Sequence, residues 1–401
     1  MSSIKLSECV GRIKESPTLA ITAKAARYKS EGKDIIGLAA GEPDFDTPQH
    51  IKDAAKKAID NGFTKYTPVS GIPSLKKAIV EKFKRDNNLD YALSEVIVGV
   101  GGKQCIFNFC LAVLNSGDEV IIPAPYWVSY ADIALVSDAK PIIVECGIEQ
   151  KFKMTASQLE KAITPKTKLV ILNSPSNPTG AVYSKEELTS LADVLIKHPN
   201  ILIGTDDMYE HVKLKDMPFY NILNVNPALK DRCVVMNGVS KAYSMTGWRI
   251  GYAAGPSYII KAMEILQSQS TSNPTSISQV AAEAALSGDQ ACMDPMIKAF
   301  RERHAYVVKS FNEIPGLSCI EAEGAFYAFP DARKAIEYLF NQKVLKEKTD
   351  HALADYLLEK EGVAVVPGSA FGSDGYFRIS FATSMENLIE AMKRIKRALS
   401  V

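Results

Sequence analysis

Lys241 sits in Val239-Ser-Lys-Ala-Tyr-Ser-Met-Thr-Gly-Trp-Arg-Ile-Gly251, a loop of mostly small residues just after an apolar run. A lysine held there is partly desolvated. Burial disfavours the ammonium form, lowers the pKa and frees the amine to attack an aldehyde. Arg249, farther along the same segment, offers a planar fork that matches phosphate geometry. Taken alone, a lysine in a loop is usually a solvated surface group, so the weight falls on its neighbours.

Other segments place polar groups just beyond apolar runs. Asn173-Ser-Pro-Ser-Asn-Pro-Thr-Gly180 follows KLVIL and reads as a rigid turn. Thr205-Asp-Asp-Met-Tyr-Glu-His211 follows ILIG. A carboxylate there is a helix cap, a surface group, or the partner that keeps a pyridinium protonated and electron-withdrawing. Gly101-Gly-Lys-Gln104 joins a strand to a helix, where free amides favour phosphate. The stretch fails the dinucleotide glycine pattern because residue 104 is Gln, and it lacks the GK[ST] ending of a nucleotide loop. Trp127 after EVIIP reads as core or rim packing, and Arg378 in YFRIS as an ion-paired strand residue.

These residues need a scaffold that brings strand ends together. From about residue 95 the chain alternates short apolar strands (SEVIVGV, EVIIP, KLVILN, ILIGTD, CVVMNG) with helices such as GKQCIFNFCLAVLN and SKEELTSLADVLIKH. The latter opens with a capping box, Ser184 to Glu187. Alternation of this kind predicts an α/β fold with a mostly parallel sheet, flanked by helices, and ligands beyond the carboxyl ends of its strands. After about residue 290 the pattern changes. A long helix (PMIKAFRERHAYVVKSFNEI), strands near LSCIEAE, AFYAF, VAVVP and YFRISFA, and a closing helix MENLIEAMKRIKRAL predict a smaller α+β lobe.

The chain has 401 residues, more than one core usually supports. Its 47 basic and 46 acidic residues leave a net charge of +1, so no field favours nucleic acid or an anionic membrane. Seven cysteines at irregular spacing, without CxxC, suggest neither a disulfide framework nor a metal site. No signal-like N-terminus and no membrane-spanning run is visible, so the expected compartment is the cytoplasm.

In order along the chain stand GEPDF, KYTPVSGIPSLKKAI, VGGKQ, PYWVSY, NSPSNPTGAVY, DDMYEH, SKAYSMTGWRIGY, GAFY and FRISFA. This set resembles the class I aminotransferases, fold type I of the pyridoxal-phosphate enzymes, over nearly the whole chain. Within them it resembles the bacterial aspartate aminotransferase branch, which also holds prephenate aminotransferases. The resemblance implies a seven-stranded large domain at 46–288 and a smaller α+β domain built from 1–45 and 289–401. It implies that Lys241 holds pyridoxal 5′-phosphate as a Schiff base and later moves the proton at the substrate Cα. Asp206 would pair with the pyridinium, while Tyr209 and Asn177 would bond the phenolic oxygen. Trp127 would stack on the ring, and Gly101, Gly102 and Arg249 would hold the phosphate. Tyr66 would reach the phosphate of the partner subunit in a homodimer with shared sites. Gly41, Asn177, Trp127 and Arg378 would meet the substrate, Arg378 at its α-carboxylate. Lys103 and Ser16 match positions linked to dicarboxylates, and Lys14 one linked to prephenate. The implied reaction moves an amino group from L-aspartate or a similar acidic amino acid to 2-oxoglutarate, with prephenate or aromatic transamination as the alternative.

One departure stands out. Many relatives carry Ser three residues before the lysine, where this chain has Gly238, with Ser240 next to the lysine instead. The rivals are another type I reaction, such as aminocyclopropane-carboxylate synthesis or β-lyase action, and a DNA-binding regulator built on an aminotransferase body. The second has no basic excess to support it.

Overall fold

The computed structural model describes residues 4–400; residues 1–3 and 401, at the ends of the expected smaller domain, lie outside that range. The large sheet has seven strands: β1 (Val96–Gly99), β2 (Glu119–Ala124), β3 (Lys140–Glu145), β4 (Thr167–Asn173), β5 (Leu202–Asp206), β6 (Cys233–Gly238) and β7 (Gly251–Ala254). Their spatial order is β1-β7-β6-β5-β4-β2-β3. All neighbours pair in parallel except those of β7, which runs against both β1 and β6.

Side chains alternate across this sheet with period two. Val96, Val98, Val170, Ile203 and Val235 enter one apolar cluster, with Leu75, Ile79 and Phe83 from a covering helix. Ile97, Leu169, Ile171, Val234 and Met236 enter another on the opposite face, with Ile106 and Phe109. Both faces are dry, which is why the strands read as unbroken apolar runs. The helices used below are α1 (Pro17–Ser30), α2 (Pro73–Asn87), α3 (Gly102–Val113) and α4 (Ser129–Val136).

A third cluster gathers Ile36, Leu38 and side chains from 296–399 around a small antiparallel sheet. Its strands are Tyr327–Ala328, Phe377–Ser380 and Val366–Pro367, with Phe377–Ser380 in the middle. Ile36–Gly37 pairs in parallel with Val363–Ala364, which ties the early chain to the late chain.

Two strands of the large sheet were not foreseen, nor was the short Ile36–Gly37 strand. β3 is a half-exposed edge strand opening Lys-Pro, and β7 is four residues long, too short for a periodicity signal. Conversely, LSCIEAE forms no strand beyond an isolated bridge between Ser318 and Asp331. The Asn312 amide takes the backbone of Cys319 instead, accepting from its N–H at 2.9 Å and donating to its C=O at 2.9 Å. A side chain thus supplies what a neighbouring strand would have supplied. The Ser184–Glu187 capping box forms as expected, with Glu187 N–H donating to Ser184 Oγ at 3.2 Å.

Because β7 is reversed, its first residue lies at the same sheet edge as the last residues of β1 and β6: Gly251 is level with Gly99 and with Gly238. The amino end of α3 lies directly against it. A Cβ on Gly251 would stand 2.2 Å from the Gly102 nitrogen. Gly251→Ala should therefore cost about 1–3 kcal/mol through overpacking. Gly247→Ala is the control, since an added Cβ there meets nothing within 4 Å. Urea denaturation checks both, and equal midpoints for the two variants would contradict the packing argument.

Candidate active site

The carboxyl edge of the large sheet opens onto a cavity of about 390 Å³ that also receives residues from both ends of the chain. Ser16, Gly41, Gly102, Lys103, Trp127, Asn177, Asp206, Tyr209, Ser240, Lys241, Arg249 and Arg378 all line it. Gly101 is the turn just before α3. Tyr66 does not line this cavity; its side chain is 92% exposed on the loop before α2. Lys14 is also outside the lining.

Lys241 Nζ donates to the Gly41 carbonyl at 2.6 Å. Desolvation lowers its pKa to about 8, with Arg249 and Arg378 pushing the same way and Glu42 and Asp206 opposing. Above that pH the amine is neutral and nucleophilic. Asp206 closes β5 and is buried. Burial pushes its carboxyl up, while Tyr130, the Met208 amide and Lys241 pull it back. The Tyr130 hydroxyl donates to Asp206 Oδ2 at 2.5 Å, and Met208 N–H to Oδ1 at 3.2 Å. The net rise marks a buried carboxylate that a nearby cation would complete. Asp207, its neighbour, turns away to accept from Asn221 Nδ2 at 2.7 Å, and burial holds its carboxyl well above the usual range.

Arg378 is only 2% exposed. Its Nη1 donates to Asn177 Oδ1 at 2.9 Å and its Nη2 to the Ala39 carbonyl at 2.6 Å. Its Nε is buried with no partner. The guanidinium lies 4.4 Å from the ring centre of Tyr327, and desolvation lowers its pKa. A buried arginine donor left open calls for an anionic acceptor. Asn177 is itself set by Asn173, whose Oδ1 accepts the Asn177 N–H at 2.9 Å while its Nδ2 donates to the Asp206 carbonyl at 2.8 Å.

Arg249, with φ of 57°, folds back over the β1–α3 turn and donates from Nη1 to the Thr246 carbonyl at 2.9 Å. A Cβ on Gly101 would fall 2.3 Å from Arg249 Nη2, so the guanidinium uses the space the glycine leaves. Guanidinium and free α3 amides together make an anion cup. The missing Ser at 238 has a packing reason. A Cβ there would lie 3.1 Å from the Met208 methyl and 3.1 Å from Gly251 Cα. Ser240 is buried and reaches the same cavity from the next turn. Lys103 Nζ lies 4.9 Å from the Trp127 ring centre, and burial followed by Arg249 lowers its pKa.

Among the cavity residues that escaped the sequence reading, three hold or contact the expected ones. Tyr130 packs edge-on against Trp127, centroids 5.3 Å apart, besides bonding Asp206. Tyr327 shares a 2.8 Å hydroxyl–hydroxyl hydrogen bond with Tyr209. Asn173 orients Asn177. Their motifs, PYWVSY, GAFY and NSPSNPTG, were visible, but only the first and third give a local hint, through i,i+3 and i,i+4 spacing. In the apoprotein, labelling of Lys241 by a small amine reagent should reach half its limit at pH about 8. Half-reaction in the ordinary lysine range would show that the amine is not desolvated.

The family model for class I and II aminotransferases matches residues 33–395. The aspartate/prephenate aminotransferase of Nitrosomonas europaea is 63% identical over 397 residues, 99% of this chain and all of that one. That of Cereibacter sphaeroides is 54% identical over 391 residues, 98% of each chain. The crystal structure of the Rhizobium meliloti aspartate aminotransferase superposes with a TM-score of 0.94 at 48% identity, covering 99% of both chains. The Thermus thermophilus aspartate aminotransferase with maleate gives 0.92 at 41% identity, covering 98% of this chain and all of that one. With a seven-stranded sheet, a desolvated lysine at its carboxyl edge and a buried arginine across the cavity, the chain belongs to the class I and II aminotransferase family and is a transaminase.

Proposed function

We propose that the enzyme binds pyridoxal 5′-phosphate and transfers the amino group of L-aspartate to 2-oxoglutarate. The observation that carries this reading is that the Lys241, Asp206 and Arg378 side chains line one cavity, with Asp206 buried and Arg378 Nε left without a partner in the protein. The side chains present fit that cofactor. The Arg249 fork and the α3 amides suit its phosphate, and the incompletely compensated Asp206 suits a protonated ring nitrogen. Trp127 offers a ring face, and Tyr209 and Asn177 offer donors for a phenolic oxygen. When bound, pyridoxal phosphate supplies an aldehyde and an electron-withdrawing ring that weaken the bonds at the substrate Cα.

The protein's own residues do the rest. Lys241, whose neutral form is favoured by its lowered pKa of about 8, would take the proton from Cα and deliver it to the former aldehyde carbon of the cofactor. Asp206 holds a proton on the ring nitrogen, and Tyr130 keeps that carboxylate oriented. Arg378 grips the α-carboxylate, and Asn177 fixes the plane of its guanidinium. Orientation then decides which Cα bond breaks. Lys103 and Ser16, on the cavity wall, suit a distal carboxylate. The Thermus relative's maleate, a dicarboxylate, and the relatives' names support an acidic substrate. Prephenate is the second reading, and the names of the relatives favour it. Seven unpaired cysteines suit the cytoplasm.

Borohydride treatment of the holoenzyme followed by peptide mapping should place the cofactor on Lys241. A panel of amino donors against 2-oxoglutarate and prephenate should then rank aspartate first. Label on another lysine, or equal rates for neutral and acidic donors, would overturn the respective part.

We also place the active site across a homodimer. Tyr66 lies on an exposed loop far in sequence from Lys241, and its 92% exposure leaves it available to a second copy. A two-fold axis makes such exchange reciprocal. Hybrids of Tyr66→Phe and Lys241→Ala chains should then carry one wild-type site and one doubly defective site per dimer, and activity should rise above the average of the parents. If activity stays at that average, Tyr66 acts within its own subunit.

A further inference from the structure

Behind the cavity lies a set of buried charges that the chemistry above leaves unused. Lys82, in α2, is 0% exposed, and Glu210, four residues past Asp206 and next to Tyr209, is 4% exposed. Lys82 Nζ donates to Glu210 Oε1 and, at 2.6 Å, to Asn87 Oδ1. Asn87 Nδ2 donates to the other Glu210 oxygen at 2.5 Å. Asn237, four residues before Lys241, donates to Glu210 Oε1 at 2.8 Å, and its own Oδ1 accepts the Gly238 N–H at 2.7 Å. His211 Nε2 lies 3.3 Å from both Glu210 and Asp86. Asp86, Glu210 and His211 have the spacing of metal ligands, but the Lys82 ammonium already bonds the Glu210 oxygen they share.

This carboxylate, carried on the 206–211 turn, thus receives donors from two other pieces of chain: α2, through Lys82 and Asn87, and the 237–241 turn, through Asn237. The two turns carry Asp206, Tyr209 and Lys241. Burial alone would push the Glu210 carboxyl up; the charges of Lys82 and His211 overcome that and hold it well below the usual range. A buried carboxylate with three donors has one low-energy position, and removing one charge strands the other in a dry interior.

We propose that Glu210 is a positioning residue for transamination, fixing the Asp206–Tyr209 turn and the Lys241 turn to one point and to α2. The proposal rests on the cofactor reading above, because its readout is the cofactor on Lys241. It differs from a purely structural ion pair in one respect. A structural pair contributes stability only, whereas a positioning hub also sets how Lys241 and Tyr209 meet the ring.

The test uses holoenzyme of Glu210→Gln, Asn237→Ala and the double variant Lys82→Gln/Glu210→Gln, each assayed well below its melting temperature. The absorbance of the lysine-linked cofactor is titrated against pH beside kcat and KM. Glu210→Gln should lower kcat at least about tenfold with KM within about threefold, and should shift the titration midpoint. Asn237→Ala, which spares the ion pair, should shift the midpoint with a smaller loss of kcat. The double variant, with an uncharged amide pair, should regain part of what Glu210→Gln loses. A lowered Tm with wild-type kcat and midpoint in Glu210→Gln would overturn the proposal. If that variant does not fold, the same result in Asn237→Ala and the double variant overturns it. A wild-type protein with no lysine-linked absorbance would instead remove the cofactor reading and this proposal with it.

Discussion

Keeping three ionisable groups out of water within one cavity is the constraint on which the site depends. Desolvation drives Lys241 toward the neutral amine, Asp206 toward the acid and Arg378 toward a lower pKa. Each is held by a short list of fixed partners rather than by solvent. Lys241 leans on a backbone carbonyl, Asp206 on a phenol and an amide, Arg378 on an amide oxygen and a carbonyl. Such preorganised dipoles need not reorient as charge moves, which is where enzymes gain most over water. The same dryness leaves Arg378 Nε open and Asp206 undercompensated, and the protein's own groups make up neither shortfall.

The sheet explains why these groups can meet. In a parallel sheet the strand ends converge on one edge, and β7, reversed, returns the chain to that edge with Arg249 just before it. Dry packing on both faces holds the strands in register, so the turns that follow them start from rigid points. The third apolar cluster supplies Arg378, Tyr327 and the 36–41 segment. The cavity is therefore walled by side chains rooted in different cores.

Much of this was legible in the sequence, for identifiable reasons. The strands of the large sheet except β3 and β7 are apolar runs, and Lys241, Asp206, Asn177 and the Gly101 turn each follow one directly. Sequence resemblance supplied Arg378, whose strand says nothing of its partners. What stayed hidden depends on pairing between distant residues. Tyr130 meets a carboxylate 76 residues away, and Tyr327 a phenol 118 residues away. Beyond the i,i+3 spacing of Tyr130 from Trp127, nothing local distinguishes them from core tyrosines. Lys82 reads as a solvated helix lysine until Glu210, 128 residues on, is placed beside it. The strand expected at LSCIEAE failed for the converse reason, since the pattern cannot show that Asn312 occupies the backbone first.

The link between Arg378 and the Ala39 carbonyl spans 339 residues, and that between Lys241 and the Gly41 carbonyl spans 200. Synthesis runs from the N-terminus, and domains fold as they emerge. A ribosome-bound chain that has released Lys241 therefore carries that lysine for some time without Tyr327 and Arg378, which complete the wall of its cavity. During that interval the burial that shifts the amine is incomplete, and the lysine acquires its lowered pKa only as those late residues close around it. Completion of the site is thus a late event in the life of each chain, set by the arrival of the last strand.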